Sequence, residues 1–471
     1  MPIGASFTRV EFSARWSYGS RPSGFAPTTL CFVSSLGLVT VTSSLLTDRY
    51  ELTMLEAAIR SGTHDRECVF EVFARSLPDG RRYGVVAGTG RLLDLIDDFR
   101  FADAELTWLR DNRVVDARAL DWLADYRFRG TVWGYQEGEL YFPGSPILIV
   151  EGSFAEAVIL ETLVLSVLNY DSAVASAAAR MAAAASGRPL AEMGSRRTGE
   201  WSAVAAARAA YIAGFGATSN LEAGRDWGIP TMGTAAHSFT LLHDTEEEAF
   251  QAQVDALGPG TTLLVDTYDV PTAVELAVKV AGTGLGAVRI DSGDLPEQVA
   301  AVRKQLDSLG ATGTRITVTN DLDEFTIAAL RAAPVDSYGV GTSVVTGSGS
   351  PASGMVYKLV ARKDAAGDWI SVAKRSPQKA TVGGRKYPVR EFGHTGKATA
   401  EVIHVGSAEK ATAHHRPLLV PLIENGVAVE KHRGAEGTAL ARSHHADAIA
   451  ELPPEAFRLG RGGPVIPTRY A

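Results

Sequence analysis

Cysteine is almost missing from this chain: Cys31 and Cys68 are the only two in 471 residues. That is too few for a disulfide framework or a zinc ribbon, and it suits a reducing cytoplasm. A basic excess is missing too. Acidic residues outnumber basic ones, 54 to 46, for a formal net charge of −8, so broad attraction to nucleic acid or an anionic membrane is not expected. No apolar run reaches the roughly 18 residues that would suggest a membrane span. Any anionic ligand must therefore be held locally.

What remains is an ordinary globular composition, with 45% hydrophobic and 21% charged residues. The length exceeds the roughly 250–300 residues at which single cores stop growing, so two or three domains are expected. Residues 1–43 scatter Ser, Gly and Arg among apolar residues with no helical or strand period and no compact apolar h-region. They read as a flexible extension, and a translation start near Val39 or Val41 is the expectation. Beyond them the divisions fall at 44–160, 161–350 and 351–471.

From "SSLLTDRYELTMLEAAIRSG" the spacing of Tyr50, Leu52, Met54, Leu55 and Ile59 predicts a helix, with Ser44 as a possible cap and Gly62 as its end. "CVFEVFARSL" predicts a strand, and "YGVVAGTGRLLDLIDDF" a strand, turn and helix. A polar helical stretch follows around 102–126. "FRGTVWGYQEGELYFPGSPILIVEG" is β-rich with a turn at Pro143-Gly144, and "FAEAVILETLVLSVLNYDSAVASAAARMAAAA" is a long, tightly packed helical region.

Between about 165 and 350 short apolar runs recur: "GIPTMGT", "TTLLVDTYD", "LGAVRIDSGD", "TRITVTNDLD" and "VDSYGVGTS". Each is followed by a polar loop and a helical pattern, the rhythm of βα units on a parallel sheet. Their polar residues gather at the C-terminal ends, the catalytic face of an α/β barrel. An open doubly wound sheet would concentrate ligands in the same way.

These strand ends carry the chemistry. "SYGVGTSVVTGSGSP" lacks a P-loop ending, yet Gly339, Gly341 and Gly347 allow close backbone approach, and Thr342 and Ser343 offer donors to phosphate oxygens. The alternative is a simple turn. In "VRIDSGDL", Arg289 can grip a carboxylate or phosphate, while Asp291 and Asp294 can hold Mg²⁺ or ribose hydroxyls; a strand-end salt bridge with a cap at Ser292 is the plainer reading. "LLVDTYDV" adds Asp266 and Asp269, and "TVTNDLD" adds Asn320 and Asp321. Acids converging on one mouth are costly without a cation or hydroxyls to satisfy them. Arg196 and Arg197 suit an anion or are simply solvated. In "MGTAAHSF", His237 stands among small residues, either as a structural histidine or as a nucleophile or base toward phosphate.

In order and spacing, "LLTDRYELTM", "GYQEGELYFPGSPILIVEG", "SRRTGEWSAVAAARAAYIAGFGATSN", "GTAAHSF", "LLVDTYDV", "VRIDSGDL", "VTNDLDEF" and "GVGTSVVT" resemble the nicotinate phosphoribosyltransferase family over roughly residues 44–390. The resemblance implies an irregular α/β barrel of the type II phosphoribosyltransferase kind joined to a mixed α/β sandwich domain, in a cytoplasmic homodimer with active sites near the interface. It implies a reaction that joins nicotinate to 5-phosphoribosyl 1-diphosphate, yielding nicotinate mononucleotide and diphosphate with coupled ATP hydrolysis, in salvage toward NAD. His237 matches the histidine transiently phosphorylated by ATP. Tyr50, Thr234 and Arg289 match nicotinate-associated positions, and Thr342 matches a phosphoribosyl diphosphate contact. Arg197, Gly341 and Ser238 join the substrate-binding set, and Asp266 and Asp291 are the expected Mg²⁺ ligands. Ala235 stands where nicotinamide-preferring relatives carry Asp, which favours the acid substrate. The chain departs from the family pattern at Met193-Gly194-Ser195 and in its N-terminal extension. The tail beyond about 395 matches loosely, and Lys379 lies in a basic stretch that could reach an anion or be solvated.

Overall fold

The computed structural model describes residues 32–34, 37–39, 42–374, 381–408 and 410–471. Lys379 and most of residues 1–43 lie outside that set. The chain divides into Met1–Val41 and Thr42–Ala471. In the first unit Phe32–Ser34 pairs antiparallel with Gly37–Val39.

In the second unit, an antiparallel sheet of seven strands runs in the order Trp369–Ser371, Met355–Lys363, Glu67–Ala74, Leu148–Ser153, Thr131–Tyr135, Leu419–Glu424 and Val427–Ala428. Residues from 44–160 and from 351–471 thus alternate in one sheet. Leu52 and Leu55 of the helix Arg49–Ser61, with Leu92, Leu93, Leu109, Leu120 and Leu123, pack with it into one core. A second sheet of four strands, built from Lys386–Phe392 and its neighbours, is tied to the first by buried charge: Lys386 Nζ reaches Glu71 at 2.5 Å.

The other core surrounds six parallel strands: β1 Leu190–Glu192, β2 Ala217–Thr218, β3 Thr262–Leu264, β4 Ala287–Ile290, β5 Arg315–Val318 and β6 Ser337–Val340. They hydrogen-bond in the order β3-β4-β5-β6-β1-β2. Because the last strand pairs with the first, the sheet curls into a barrel. Thr231 extends it by one parallel bridge to Thr218. Among the described residues no ladder joins that segment to β3, so the barrel keeps an open seam.

One long helix, Glu161–Ala185, serves both cores. Its early residues Leu163, Val164 and Val167 belong to the sandwich core, and Val174, Ala178 and Met181 belong to the barrel core. The alanine run is therefore packing surface: buried Ala178 and Ala179 share the barrel core with Ala206, Ala209 and Ala210 of the helix Glu200–Ile212. The helical stretch Phe154–Ala185 is, by length and composition, apolar enough to cross a membrane, although Glu161, Asn169 and Asp171 interrupt its apolar residues. Its apolar residues are instead divided between the two cores.

Several local expectations are corrected. Asp48, not Ser44, caps Arg49–Ser61, because Glu51 three residues on returns the bond to its N–H. The stretch 102–126 forms two helices, Asp103–Asp111 and Ala117–Ala124, the second capped by Asp116. "GIPTMGT" forms only the bridge at Thr231 rather than a strand.

Candidate active site

The loops after the barrel strands converge on a cleft with two adjoining halves. One, about 200 Å³, is lined by Arg196, Arg197, Asp291, Asn320, Asp321 and Thr342, with Gly339 and Gly341. The other, about 250 Å³, is lined by Gly233, Thr234, Ala235 and Ala236 with Ser195 and Ser219. Arg289, Arg196 and Met193 border both. The first half is polar and cationic, and the second is a small-residue slot.

Arg289 stands on β4 between them. Its Nη1 donates to Thr234 Oγ1 at 2.7 Å and to the Ala235 carbonyl at 3.2 Å, and its Nε donates to Thr319 Oγ1 at 3.0 Å. Its Nη2 lies 3.2 Å from Asp291 Oδ2. The other Asp291 oxygen accepts from the Thr319 hydroxyl. The guanidinium is thus held in one orientation, with its charge at the junction of the two halves.

Asp266 follows β3 and is buried. Its Oδ2 accepts from the Asp291 N–H at 2.9 Å and from Ser292 Oγ at 2.6 Å, which ties the ends of β3 and β4 together. Ser292 is spent on this bond, so Asp294 caps the helix Leu295–Ser308 in its place. Asp266 Oδ1 is buried without a hydrogen bond and lies 3.9 Å from His237 Nε2. Asp291 Oδ2 lies 3.8 Å from the same nitrogen. Glu246, beside Asp266, is raised above the usual carboxylate range by burial and by the Asp266 and Asp269 charges.

His237 opens the helix His237–Leu242 at the barrel seam. Its Nδ1 is 3.2 Å from Thr267 Oγ1 on the far side of that seam, so Nε2 is the ring atom that faces the acids. The imidazole is 42% exposed, open enough for a second molecule to reach it.

Gly339 and Gly347 are needed where they stand. A Cβ on Gly339 would meet Met193 Sδ at 2.6 Å, and one on Gly347 would meet the Ser350 carbonyl at 2.3 Å. Two expected substrate contacts fall elsewhere. Tyr50 and Ser238 line neither half of the cleft. Tyr50 sits beside Glu161 at the sandwich end, its pKa pushed up to about 12 by burial and by Glu161 and Glu51. Ser238 points to solvent from the short helix. Thr319 and Thr267, which orient Arg289 and His237, carry no signal of their own in the sequence, although each adjoins a polar strand-end residue, Asn320 and Asp266.

Among the described residues no group of three or more His, Cys, Asp or Glu side chains forms a metal cage. Mg²⁺ rarely needs one, since it is commonly held by one or two carboxylates together with substrate phosphates and water. The unpartnered Asp266 Oδ1 and the accessible Asp291 fit that limited role.

Comparison with known proteins agrees with this geometry. Residues 45–169 match the family model described as nicotinate phosphoribosyltransferase (NAPRTase) N-terminal domain. The chain is 57% identical over 436 residues to nicotinate phosphoribosyltransferase pncB1 of Mycobacterium tuberculosis, covering 91% of this chain and 95% of that one. It is 38% identical over 355 residues to nicotinate phosphoribosyltransferase of Bacillus subtilis, covering 73% and 72% of the two chains. The crystal structure of human nicotinic acid phosphoribosyltransferase superposes with a TM-score of 0.77 at 27% identity, covering 90% of this chain and 97% of that chain. The chain therefore belongs to the nicotinate phosphoribosyltransferase family.

Proposed function

We propose that this protein joins nicotinate to 5-phosphoribosyl 1-diphosphate, releasing nicotinate mononucleotide and diphosphate, as an ATP-coupled cytoplasmic step of salvage toward NAD. The observation that carries the reading is Arg289, which borders a small-residue slot on one side and an Arg-, Gly- and Thr-lined cleft on the other. The slot suits a flat ring whose carboxylate pairs with Arg289. The cleft suits phosphate and ribose oxygens, with Arg196, Arg197 and Thr342 toward the phosphates and Asn320 and Asp321 toward hydroxyls.

In this reaction the ribose C1–O bond to diphosphate breaks as the ring nitrogen bonds to C1. Positive charge develops on the ribose and negative charge on the leaving group. Arg196 and Arg197 stabilise the departing diphosphate, and the acids at the ends of β4 and β5 face the ribose. Asp291 and Asp266 would hold Mg²⁺, which would supply charge neutralisation to the diphosphate.

His237 Nε2 is the phosphoryl acceptor. In the tautomer whose Nδ1–H donates to Thr267 Oγ1, Nε2 carries the lone pair, attacks the γ-phosphorus of ATP and displaces ADP. Water later takes the phosphoryl group as phosphate. The phosphorylated ring places a dianion near Asp266 and Asp291, and that repulsion favours a rearranged, more cationic cleft, which links ATP cleavage to substrate affinity.

The active assembly is a homodimer. Tyr50 lies outside its own cleft, and Leu46 and Tyr50 on the sandwich and Leu241, Leu242 and Tyr268 around the barrel seam are exposed apolar surface that a second copy would cover. A second copy would bring Tyr50 to the slot.

The test is to incubate purified protein with nicotinate, phosphoribosyl diphosphate and Mg²⁺, with and without ATP, and to follow mononucleotide. Turnover stimulated by ATP is expected, and His237→Ala abolishes the stimulation. No product in either condition overturns the activity, and undiminished stimulation in the variant overturns the coupling.

A further inference from the structure

Behind the Gly341–Thr342 rim lies a buried charge cluster that no step above uses. Glu324 opens the helix Glu324–Ala329 just after the Asn320–Asp321 turn, and it is only 3% exposed. One carboxylate oxygen accepts from Arg180 Nε at 3.0 Å, and the other from Ser348 Oγ at 2.7 Å. Arg180 belongs to the long helix Glu161–Ala185 and also donates to the Gly80 carbonyl at 2.8 Å. Buried Arg81 donates to the Gly347 carbonyl at 2.6 Å, with Glu324 as the acid that offsets its charge.

The turn held this way is conformationally special. Ser348 adopts φ +50, and its N–H donates to the Ser343 carbonyl at 2.7 Å. Tyr170 ties the same segment through its hydroxyl to the Val345 carbonyl at 3.0 Å. Thr346 Oγ1 donates to the Thr342 carbonyl at 2.8 Å, so the rim is linked to the turn. Two buried arginines compensated by one acid are a costly way to gain stability, and apolar packing would serve as well. What the arrangement supplies is a fixed position for a cleft edge.

We infer that Glu324, with Arg180 and Ser348, is a positioning element that keeps the Gly341–Thr342 rim in register with the Asn320–Asp321 turn, and so sets affinity for the diphosphate-bearing substrate. This rests on reading the cleft as the phosphoribosyl diphosphate site. Arg180 anchors the carboxylate, and Ser348 transmits its position to the rim.

Ser348→Gly removes the hydroxyl while tolerating the left-handed backbone. It is expected to raise KM for phosphoribosyl diphosphate about tenfold with little change in kcat or in KM for nicotinate, in keeping with the loss of one charge-assisted bond. Calorimetry with Mg²⁺ and inorganic diphosphate should show the same factor. Glu324→Gln should show a larger effect of the same kind. A folded Ser348→Gly variant with unchanged KM and unchanged diphosphate affinity overturns the inference, as does an equal rise in both KM values. If the parent protein binds diphosphate but does not use nicotinate, the functional reading fails and the diphosphate affinities still decide the positioning role. If the parent binds no diphosphate, both fail.

Discussion

Arg289 Nη1 donates to Thr234 Oγ1 at 2.7 Å although 55 positions separate the two residues along the chain. The bond joins the end of β4 to the small-residue slot, so the guanidinium is aimed by the slot it borders. Arg289→Lys keeps a charge but not the fork that reaches Thr234, Ala235, Thr319 and Asp291 together. Losing charge-assisted bonds of about 1.5–3 kcal/mol should raise KM for nicotinate roughly ten- to hundredfold. Steady-state kinetics with varied nicotinate would refute this if the variant matched the parent.

Ala235 lines the slot and offers only its carbonyl to Arg289. The acid substrate should therefore be preferred over nicotinamide, by at least about a hundredfold in kcat/KM, because the amide brings no carboxylate to the guanidinium that borders the slot. Ala235→Asp should narrow that gap. Competition between the two pyridines measures it, and comparable kcat/KM values in the parent would end the argument.

Arg208 and Glu137 form a fully buried pair at 2.5 and 2.7 Å, with Gly88 and Gly90 N–H groups donating to the same carboxylate at 2.6 and 3.0 Å. Burial alone would raise Glu137, but Arg208 and the two N–H groups hold it below the usual carboxylate range. Arg208→Met should cost about 3–5 kcal/mol because it strands a buried acid. Adding Glu137→Leu should restore part of that loss. Urea unfolding tests both steps, and a single variant as stable as the parent contradicts the account.

His445 Nδ1 faces the Gly138 carbonyl at 2.9 Å, and burial lowers the ring from its ordinary 6.5 to about 4. His444 and Arg442 add to the drop, while the carbonyl and Glu139 oppose it. The folded ring is neutral and the unfolded ring gains a proton first, so its contribution is whole above pH 6.5 and is lost as pH falls from there toward 4. Between pH 7 and 5 the loss is on the order of 2 kcal/mol. Glu71, raised by burial to about 7, acts in the opposite sense, so the comparison needs a variant. His445→Gln should flatten the stability difference between those two pH values by that amount, and an unchanged difference would contradict it.

The four strands β3 to β6 were legible because each joins an apolar, β-branched run to a polar tip, as in "TTLLVDTYD" and "TRITVTNDLD". β1 and β2 were not, because neither Leu190–Glu192 nor Ala217–Thr218 carries a β-branched apolar run ending in a polar tip. "GIPTMGT" looked like a strand, but Pro230 lacks an N–H and Gly233 adds no side chain, so one bridge at Thr231 remains. Arg289, Asp266 and Asp291 are readable as site candidates because polar residues at strand ends converge in any barrel, His237 stands out among small neighbours, and Thr234 is marked by the family resemblance. Thr267 and Thr319 were less so, since a hydroxyl that orients its neighbour resembles any other loop threonine. Glu324 and Arg180 meet across 144 positions, a pairing no local pattern announces.

The interleaving of early and late strands in the seven-stranded sheet bears on the order in which the molecule can be made. Glu67–Ala74 needs Met355–Lys363 at one edge, and Thr131–Tyr135 needs Leu419–Glu424. During synthesis the barrel residues 190–340 emerge before either late partner. The early strands must wait with open edges, and such edges invite pairing between chains. Truncation before Leu419 should therefore harm the amino-terminal half of the protein more than the middle.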